Sequence, residues 1–255
     1  MLTSTFVHLD GVGYSTEQRF WLAGARCWDD FLARPPEVRL GPARQAALRA
    51  RIATSRESLM AGDYRFFSGC LPRRDQWRAF PEFARRILYL DIETTGGTDF
   101  EDVTVIGMHD GRTMRQFVRG ENLLEAEELL REAALLVTFF GTGFDVPVLR
   151  RLFPRLPFDQ LHVDLCHALR RLGYGGGLKA IEPRLGLDRA PAIAAFDGWD
   201  AVRLWREWSR GSDQSRELLL EYNRADVENM IPLTALAYDR LRARTLAPLL
   251  ETQEE

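Results

Sequence analysis

The stretch Ile87-Leu-Tyr-Leu-Asp-Ile-Glu-Thr-Thr-Gly96 decides the fold of this chain. Its first six residues are apolar except for one aspartate and favour β-structure, so they predict a strand that ends in a turn. Successive side chains of a strand point to opposite faces of the sheet. Asp91 and Glu93 therefore share one face with Tyr89, and we expect the other face to be buried through Leu88, Leu90 and Ile92.

The residues after this strand predict the rest of an α/β domain. Residues 103–108 and 113–118 read as two more strands, joined by a hairpin turn at Asp110-Gly111. Residues 121–134 have helical spacing, and residues 135–140 form a buried strand that ends at Gly141-Thr142-Gly143. A short helix, a fifth strand at residues 161–165 and a long helix at about residues 218–242 follow. The predicted fold class is α/β, with a mixed sheet of about five strands flanked by helices.

Residues 1–80 predict a small helical N-terminal segment. Their apolar and aromatic residues are spaced for short helices, and residues 42–59 form an amphipathic helix with four interleaved arginines. Residues 70–81 contain two prolines and no sustained periodicity, so the boundary is placed there. We therefore expect two domains, at residues 1–80 and 87–245.

Composition excludes several classes of protein. The chain has 255 residues, of which 45% are hydrophobic and 28% charged, which excludes disorder, collagen and coiled coil. The longest apolar stretch, residues 133–140, is too short for a membrane span. No secretory signal is recognisable, and three widely spaced cysteines fit reduced thiols. We expect a cytoplasmic protein without a membrane partner.

Charge is distributed unevenly along the chain. Residues 1–86 hold 14 arginines against 9 acidic residues (+5), and residues 87–255 hold 20 basic against 28 acidic residues (−8), which together give the net charge of −3. A basic first third favours an anionic partner, although the acidic remainder argues against uniform binding of phosphates.

Asp91 and Glu93 are the first candidates for chemistry. Neighbouring carboxylates repel each other unless a cation lies between them, so we favour a divalent metal site over an exposed polar pair. The residues from Asp91 to Asp102 also match an EF-hand calcium loop loosely. An EF-hand loop follows a helix and ends in glutamate, whereas residues 91–102 follow a predicted strand and end in aspartate. The EF-hand interpretation is therefore rejected.

Two further motifs strengthen the metal-site interpretation. Asp145 follows Phe144 at the start of a predicted helix, where capping of that helix is its alternative role. Tyr222-Asn-Arg-Ala-Asp226 lies near the start of the last helix, and its two end residues share one helix face. An ordinary exposed pair is the alternative there.

Taken together, these motifs resemble the DEDD exonuclease superfamily of the ribonuclease H-like fold, in the subgroup with tyrosine. The histidine subgroup has its histidine five residues before the last aspartate, where this chain has Glu221. The closer resemblance is to the YprB-type ribonuclease H-like domain, over about residues 87–240. It rests on the sequences Leu90-Asp-Ile-Glu-Thr-Thr-Gly96, Phe144-Asp-Val-Pro147 and Asn223-Arg-Ala-Asp-Val227.

This resemblance implies a 3′–5′ exonuclease that cuts phosphodiester bonds in DNA or RNA by a two-metal mechanism and releases nucleoside 5′-monophosphates. Asp91 would bridge two Mg²⁺ or Mn²⁺ ions, Glu93 and Asp226 would complete one site, and Asp145 would hold the other ion largely through water. Tyr222 would orient the attacking water, because an ordinary tyrosine pKa near ~10 makes a poor general base at neutral pH.

One departure from the family concerns Phe140. The family usually has an asparagine a few residues before the Phe-Asp pair, and Phe140 stands in that place here, so we expect different substrate contacts. A structure-specific endonuclease and a non-catalytic nucleic-acid-binding module remain alternative functions. Exposed N-terminal aromatic residues would suit a repair protein or helicase partner.

Three other features have two interpretations each. Asp164 is expected to cap a helix, or else to reach the site from a neighbouring strand. The loop at residues 173–180 carries the only lysine, Lys179, and either approaches a phosphate or serves as a linker. Leu9-Asp-Gly-Val-Gly13 resembles one helix-hairpin-helix element, whose glycine turn presents N–H groups to a DNA phosphate. The alternative is a purely structural appendage whose Trp21, Trp28 and Phe31 pack on the nuclease domain.

Overall fold

The computed structural model describes residues 1–251. It consists of two compact units, one of Met1–Phe83 with Asp159–Leu161 and the helical residues from Tyr238, and one of Ala84–Phe158 with His162–Ala237. Whether residues 1–80 and 87–245 are separate domains stays a prediction. Among the described residues, every helix is too short or too polar to cross a lipid bilayer.

The first unit is helical. Its helices are α1 (Tyr14–Leu22), α2 (Trp28–Ala33), α3 (Pro42–Met60), α4 (Tyr64–Cys70) and α5 (Phe80–Phe83), with a 3₁₀ segment at Arg73–Ala79. The helical N-terminal segment is thus confirmed, and α3 matches the amphipathic helix predicted at residues 42–59. Trp21, Trp28 and Phe31 are buried inside this unit, so they offer no exposed aromatic surface for a protein partner.

The sheet has five strands in the order β3-β2-β1-β4-β5. These are β1 (Ile87–Thr94), β2 (Val103–His109), β3 (Met114–Val118), β4 (Leu135–Thr138) and β5 (Leu161–Asp164). β1 pairs antiparallel with β2 and parallel with β4, and β2 pairs antiparallel with β3. In the turn between β2 and β3, Asp110 Oδ1 accepts hydrogen bonds from two backbone N–H groups, at 2.9 and 2.8 Å. The predicted mixed sheet and its hairpin are confirmed.

Six helices follow in the second half of the chain. They are α6 (Ala126–Glu132), α7 (Asp145–Leu152), α8 (Leu165–Arg171), α9 (Leu178–Ile181), α10 (Gly198–Trp208) and α11 (Asp213–Glu251). α6 is shorter than predicted, because a 3₁₀ turn precedes it and Ala133 is already extended, with the N–H of Ala134 bonded to Arg86 at 2.8 Å. α11 is longer than predicted; at its start the Ser212 hydroxyl accepts the N–H of Ser215 at 3.3 Å.

Both faces of the sheet are covered, whereas the sequence pattern predicts burial of only one. Leu88, Leu90 and Ile92 pack as expected in a core with residues of α6 and α7. On the face that carries Glu93, its cross-strand partner Val105 packs against residues of α10 and α11. The candidate carboxylates therefore lie between the sheet and helices rather than on an open surface.

Candidate active site

Three of the predicted site residues converge at one edge of the sheet. Asp91, Glu93 and Asp226 can each place a carboxylate oxygen within 4.8 Å of the other two. Asp91 and Glu93 lie near the end of β1, and α11 brings Asp226 to them. Glu93 and Asp226 are buried, with 7% and 8% of their surface exposed. The burial of Glu93 excludes an exposed polar pair of Asp91 and Glu93, and the burial of Asp226 excludes an exposed pair with Tyr222.

Gly107 on β2 allows α11 to come this close. Gly107 pairs with Asp91 across the strands, and a Cβ at this position would lie 2.1 Å from Asn223 Oδ1. The Asn223 amide donates to Asp91 Oδ2 at 3.0 Å and accepts from Gln116 at 3.1 Å. Asn223 therefore fixes the orientation of Asp91, a role that the sequence analysis did not assign although the residue belongs to the motif at residues 223–227.

Asp145 is the fourth predicted carboxylate and the first residue of α7. Its Oδ1 accepts the backbone N–H of Ile92 at 3.1 Å, so the side chain lies against the β1 backbone between Asp91 and Glu93 instead of capping its own helix. Burial, with a contribution from the Asp164 and Asp226 charges, raises the pKa of Asp145 to about 7. Its negative charge also acts on Asp91 and Glu93.

The electrostatics of the cluster fit a bound cation. Burial raises the pKa of Asp91 and of Glu93 well above the ordinary range, and the neighbouring carboxylates add to both shifts. Glu93 Oε1 is buried without a hydrogen-bond partner in the described structure. Oxygen ligands of this kind suit Mg²⁺ and Mn²⁺. A divalent cation would relieve the repulsion and satisfy the unpartnered oxygen, so the residues present fit such an ion.

Tyr222 lies one helical turn before Asp226 and is also buried. Lys179 donates a hydrogen bond to its hydroxyl and lies 4.2 Å from the centre of its ring. Burial and the Asp226 and Glu93 charges raise the pKa of Tyr222 above its usual value, so the hydroxyl stays protonated at neutral pH. A hydroxyl that accepts from Lys179 keeps its own proton available for donation.

Arg189 is a site residue that the sequence analysis missed. Its guanidinium donates to Asp226 and forms a two-bond pair with Glu182, at 2.7 and 2.6 Å. Asn229 on α11 donates to the same Glu182 at 2.9 Å. The Arg189 side chain is 4% exposed, and these carboxylates raise its pKa in spite of burial, so it is a fixed positive charge beside a candidate metal ligand.

Asp164 caps α8, as the first of its two interpretations expects. Its carboxylate accepts the N–H of Cys166 at 3.1 Å. It also accepts the N–H groups of Phe140 and Thr142, at 2.9 and 3.0 Å, and so holds the loop between β4 and α7. His162 is bonded to Thr138 within the fold at 2.9 Å.

The N-terminal glycine hairpin leads directly into α1. Gly11 has a φ of +72° and its carbonyl accepts a bond from Arg44 at 2.6 Å. A 3₁₀ turn at Leu2–Ser4, rather than an α-helix, precedes the hairpin. The match to a helix-hairpin-helix element is therefore confined to the glycine turn and the helix after it.

Comparison with known proteins identifies the fold family. A family model described as the RNase_H superfamily matches residues 88–238, more than half of the chain. The chain belongs to the RNase_H superfamily. The matched range of this RNase_H superfamily member contains all five predicted site residues, and the fold described above agrees with it.

Among solved structures, this RNase_H superfamily member is similar over part of its chain to the family B DNA polymerase from the hyperthermophilic archaeon Pyrobaculum calidifontis. The two are 18% identical with a TM-score of 0.44, and the match covers 64% of this chain and 25% of the polymerase. The chain thus matches about a quarter of the polymerase's length. No curated protein matches the chain in sequence.

Proposed function

We propose that this protein is a metal-dependent nuclease that removes nucleotides from the 3′ end of DNA or RNA and releases nucleoside 5′-monophosphates. The observation that carries the proposal is the convergence of Asp91, Glu93 and Asp226 in a fold of the RNase_H superfamily. The finer assignment, to the YprB-type domain and the DEDD subgroup with tyrosine, rests on the motif resemblance and includes Asp145 and Tyr222.

The four carboxylates would hold two Mg²⁺ or Mn²⁺ ions, with Asp91 shared, Glu93 and Asp226 on one and Asp145 on the other. Divalent ions at such a site stabilise the negative charge of the reacting phosphate and lower the pKa of the attacking water. Asn223 keeps the Asp91 carboxylate in position, and Arg189 pairs with Asp226 in the metal-free protein.

Tyr222 would orient the attacking water through its hydroxyl proton. Its raised pKa favours the protonated hydroxyl over a phenolate base, and the bond from Lys179 fixes the direction of the hydroxyl. Lys179 also places a positive charge beside the cluster, where it can offset phosphate charge. These contacts favour the orienting role over a general-base role.

The test uses wild-type protein and Asp91→Asn with Mg²⁺ or Mn²⁺. The substrates are 5′-labelled and 3′-labelled single-stranded and duplex DNA and RNA, and a circular single-stranded DNA. We expect shortening from the 3′ end, an intact circle, and no reaction with EDTA or with Asp91→Asn. Opening of the circle would instead establish the endonuclease. Binding of these substrates without any metal-dependent cleavage would contradict the nuclease and favour the non-catalytic module.

For the N-terminal segment we propose a structural appendage rather than a DNA contact, and the turn at residues 9–13 offers the test. Gly13 has ordinary backbone angles, and a Cβ at this position would have no neighbouring atom within 4 Å, so the first side-chain atom of Gly13→Leu meets no clash. We expect unchanged DNA affinity in this variant; weaker DNA binding with unchanged hydrolysis of a dinucleotide would instead establish a contact with a DNA phosphate. We also propose that the protein is cytoplasmic, because no secretory signal is recognisable and the cysteines fit reduced thiols.

A further inference from the structure

Two exposed aromatic side chains lie at the same edge of the sheet as the carboxylate cluster. β1 and β4 are parallel, so their carboxyl ends meet at one edge. Phe140 follows β4 and is 51% exposed. Trp199, on α10, is 73% exposed and lies 3.7 Å from the position of a Cβ on Gly96, in the turn that follows β1. The edge that carries the carboxylate cluster therefore also carries two solvent-exposed aromatic side chains.

Phe140 is held in a conformation that a non-glycine residue rarely adopts. Its φ is +65°, in the left-handed region. The backbone is fixed there by the bond from its N–H to Asp164, and its carbonyl accepts the N–H of Gly143 at 3.0 Å. A Cβ on Gly143 would lie 2.9 Å from the Phe140 ring, so the ring packs on this glycine. Strain of this kind persists only where surrounding contacts impose it, and here it presents a ring to solvent.

The backbone of Trp199 is also anchored, while its side chain is exposed. It lies in the first turn of α10, where its N–H donates to the capping residue Asp197 at 2.7 Å. Further along α10, Ala201 and Leu204 are buried in the core that contains Tyr222. The helix is therefore anchored beside the site while the indole ring lies over the turn after Glu93.

We propose that Phe140 and Trp199 are stacking platforms for the nucleobases of a single-stranded substrate end. This inference rests on the proposed nuclease function and names its substrate class. Every base has an aromatic face, so stacking on fixed aromatic side chains binds single strands with little sequence preference. Bases inside a duplex are already stacked on each other and cannot use such platforms without separation. An uncharged face also suits a region where an acidic cluster repels phosphates.

Phe140 stands where the resembling family usually has an asparagine. An aromatic ring cannot make the hydrogen bonds of an amide, so the substitution replaces a polar contact by stacking. We therefore expect tolerance of base identity at the strand end.

The test compares variants that keep or remove the aromatic face. In an Asp91→Asn background, which keeps the substrate intact, the Kd for a fluorescent single-stranded oligonucleotide is measured with Mg²⁺ by anisotropy. We expect Phe140→Leu and Trp199→Leu each to weaken binding about tenfold, and Phe140→Tyr and Trp199→Phe to bind nearly as the background protein does. Leu124→Ala, at an exposed apolar residue after β3, is the matched control and should change nothing. Thermal unfolding checks that each variant is folded.

A second substrate isolates the bases themselves. The probe keeps its sugar-phosphate backbone but is abasic at the last two positions of its 3′ end. It should bind the Asp91→Asn protein as weakly as the intact oligonucleotide binds the same protein with both Phe140→Leu and Trp199→Leu. The Kd of the abasic oligonucleotide should not increase further when both leucine substitutions are present. The stacking role would be overturned if removal of the two bases weakened binding equally with and without the leucine substitutions. It would also be overturned if the leucine variants bound the intact oligonucleotide as tightly as the Asp91→Asn protein does.

The outcomes separate the two proposals. Oligonucleotide binding that depends on Phe140 and Trp199, in a wild-type protein that never cleaves, would contradict the nuclease and leave the stacking role standing. Cleavage by the wild type with a KM unchanged in both leucine variants would contradict stacking alone. Absence of any oligonucleotide binding would overturn both.

Discussion

At the scale of single residues, Arg189 places a positive charge where a metal ion would also bind. It neutralises part of the Asp226 charge in the metal-free protein and repels an incoming cation. We expect Arg189→Met to bind Mn²⁺ several-fold more tightly in calorimetry. The metal-free protein should lose about 3 kcal/mol of stability, because Glu182 and Asp226 lose their buried partner.

The matched control for Arg189 is Arg203, which pairs with Asp200 and Glu207 on the surface and is 49% exposed. Arg203→Met should cost less than about 1 kcal/mol and leave Mn²⁺ affinity unchanged. Mn²⁺ binding by Arg189→Met that is equal to or weaker than wild type would contradict the competition.

Asp145 should make the metal-free protein less stable as the pH rises. Its pKa is about 7 in the folded protein and near 3.8 ordinarily, so folding favours the protonated form. The contribution to stability is complete at low pH and is lost as the pH rises through 7, by at most about 4 kcal/mol. Asp145→Asn cannot ionise. We therefore expect the melting temperature of Asp145→Asn minus that of wild type, both in EDTA, to increase from pH 5 to pH 8. A difference in melting temperature that is independent of pH would contradict the raised pKa of Asp145.

At the scale of elements, the contact between β2 and α11 positions Tyr222 and Asp226. A methyl group on Gly107 would overlap Asn223 and approach Val227 to 2.9 Å. Gly107→Ala should cost about 1–3 kcal/mol and shift α11, so nuclease activity should fall even at temperatures where the variant is folded. Gly69→Ala, in α4 with open space around it, should leave activity and fold intact. Wild-type activity in Gly107→Ala would show that the contact is not needed.

The sequence allowed the elements to be predicted where periodicity is strong. The strands and α3 were placed within two residues of their ends, since apolar alternation and helical spacing mark them. The start of α11 was missed because residues 213–217 are all polar and carry no apolar period. Burial of both sheet faces was missed because the helices that cover the second face come more than 90 residues after β1 in the chain.

The site residues were likewise predictable only where the sequence carries a regular pattern or motif. Five residues could be named because they belong to short motifs on regular elements. Arg189 and Glu182 gave no signal, because they lie in irregular or short elements between residues 173 and 197 of an arginine-rich chain. The contacts of Arg189 with Glu182 and with Asp226 depend on the path of that segment, which no periodicity specifies.

At the scale of the whole molecule, the topology of the sheet explains why distant motifs meet. The parallel pair β1 and β4 ends at one edge and delivers Asp91 and Glu93 together with the loop before Asp145. α11 then crosses the face of the sheet and adds Tyr222 and Asp226. The acidic excess of residues 87–255 includes these candidate metal ligands, so it does not argue against a nucleic-acid substrate.

The most direct test of this account is the initial rate of nucleotide release from a single-stranded oligonucleotide with Mn²⁺, for wild type and Asp226→Asn. The account predicts release by the wild type, none with EDTA, and a rate at least about 100-fold lower for the variant, whose fold should persist because only one carboxylate oxygen is replaced. Release at equal rates by both proteins, or no release by the wild type with any divalent metal, would contradict it.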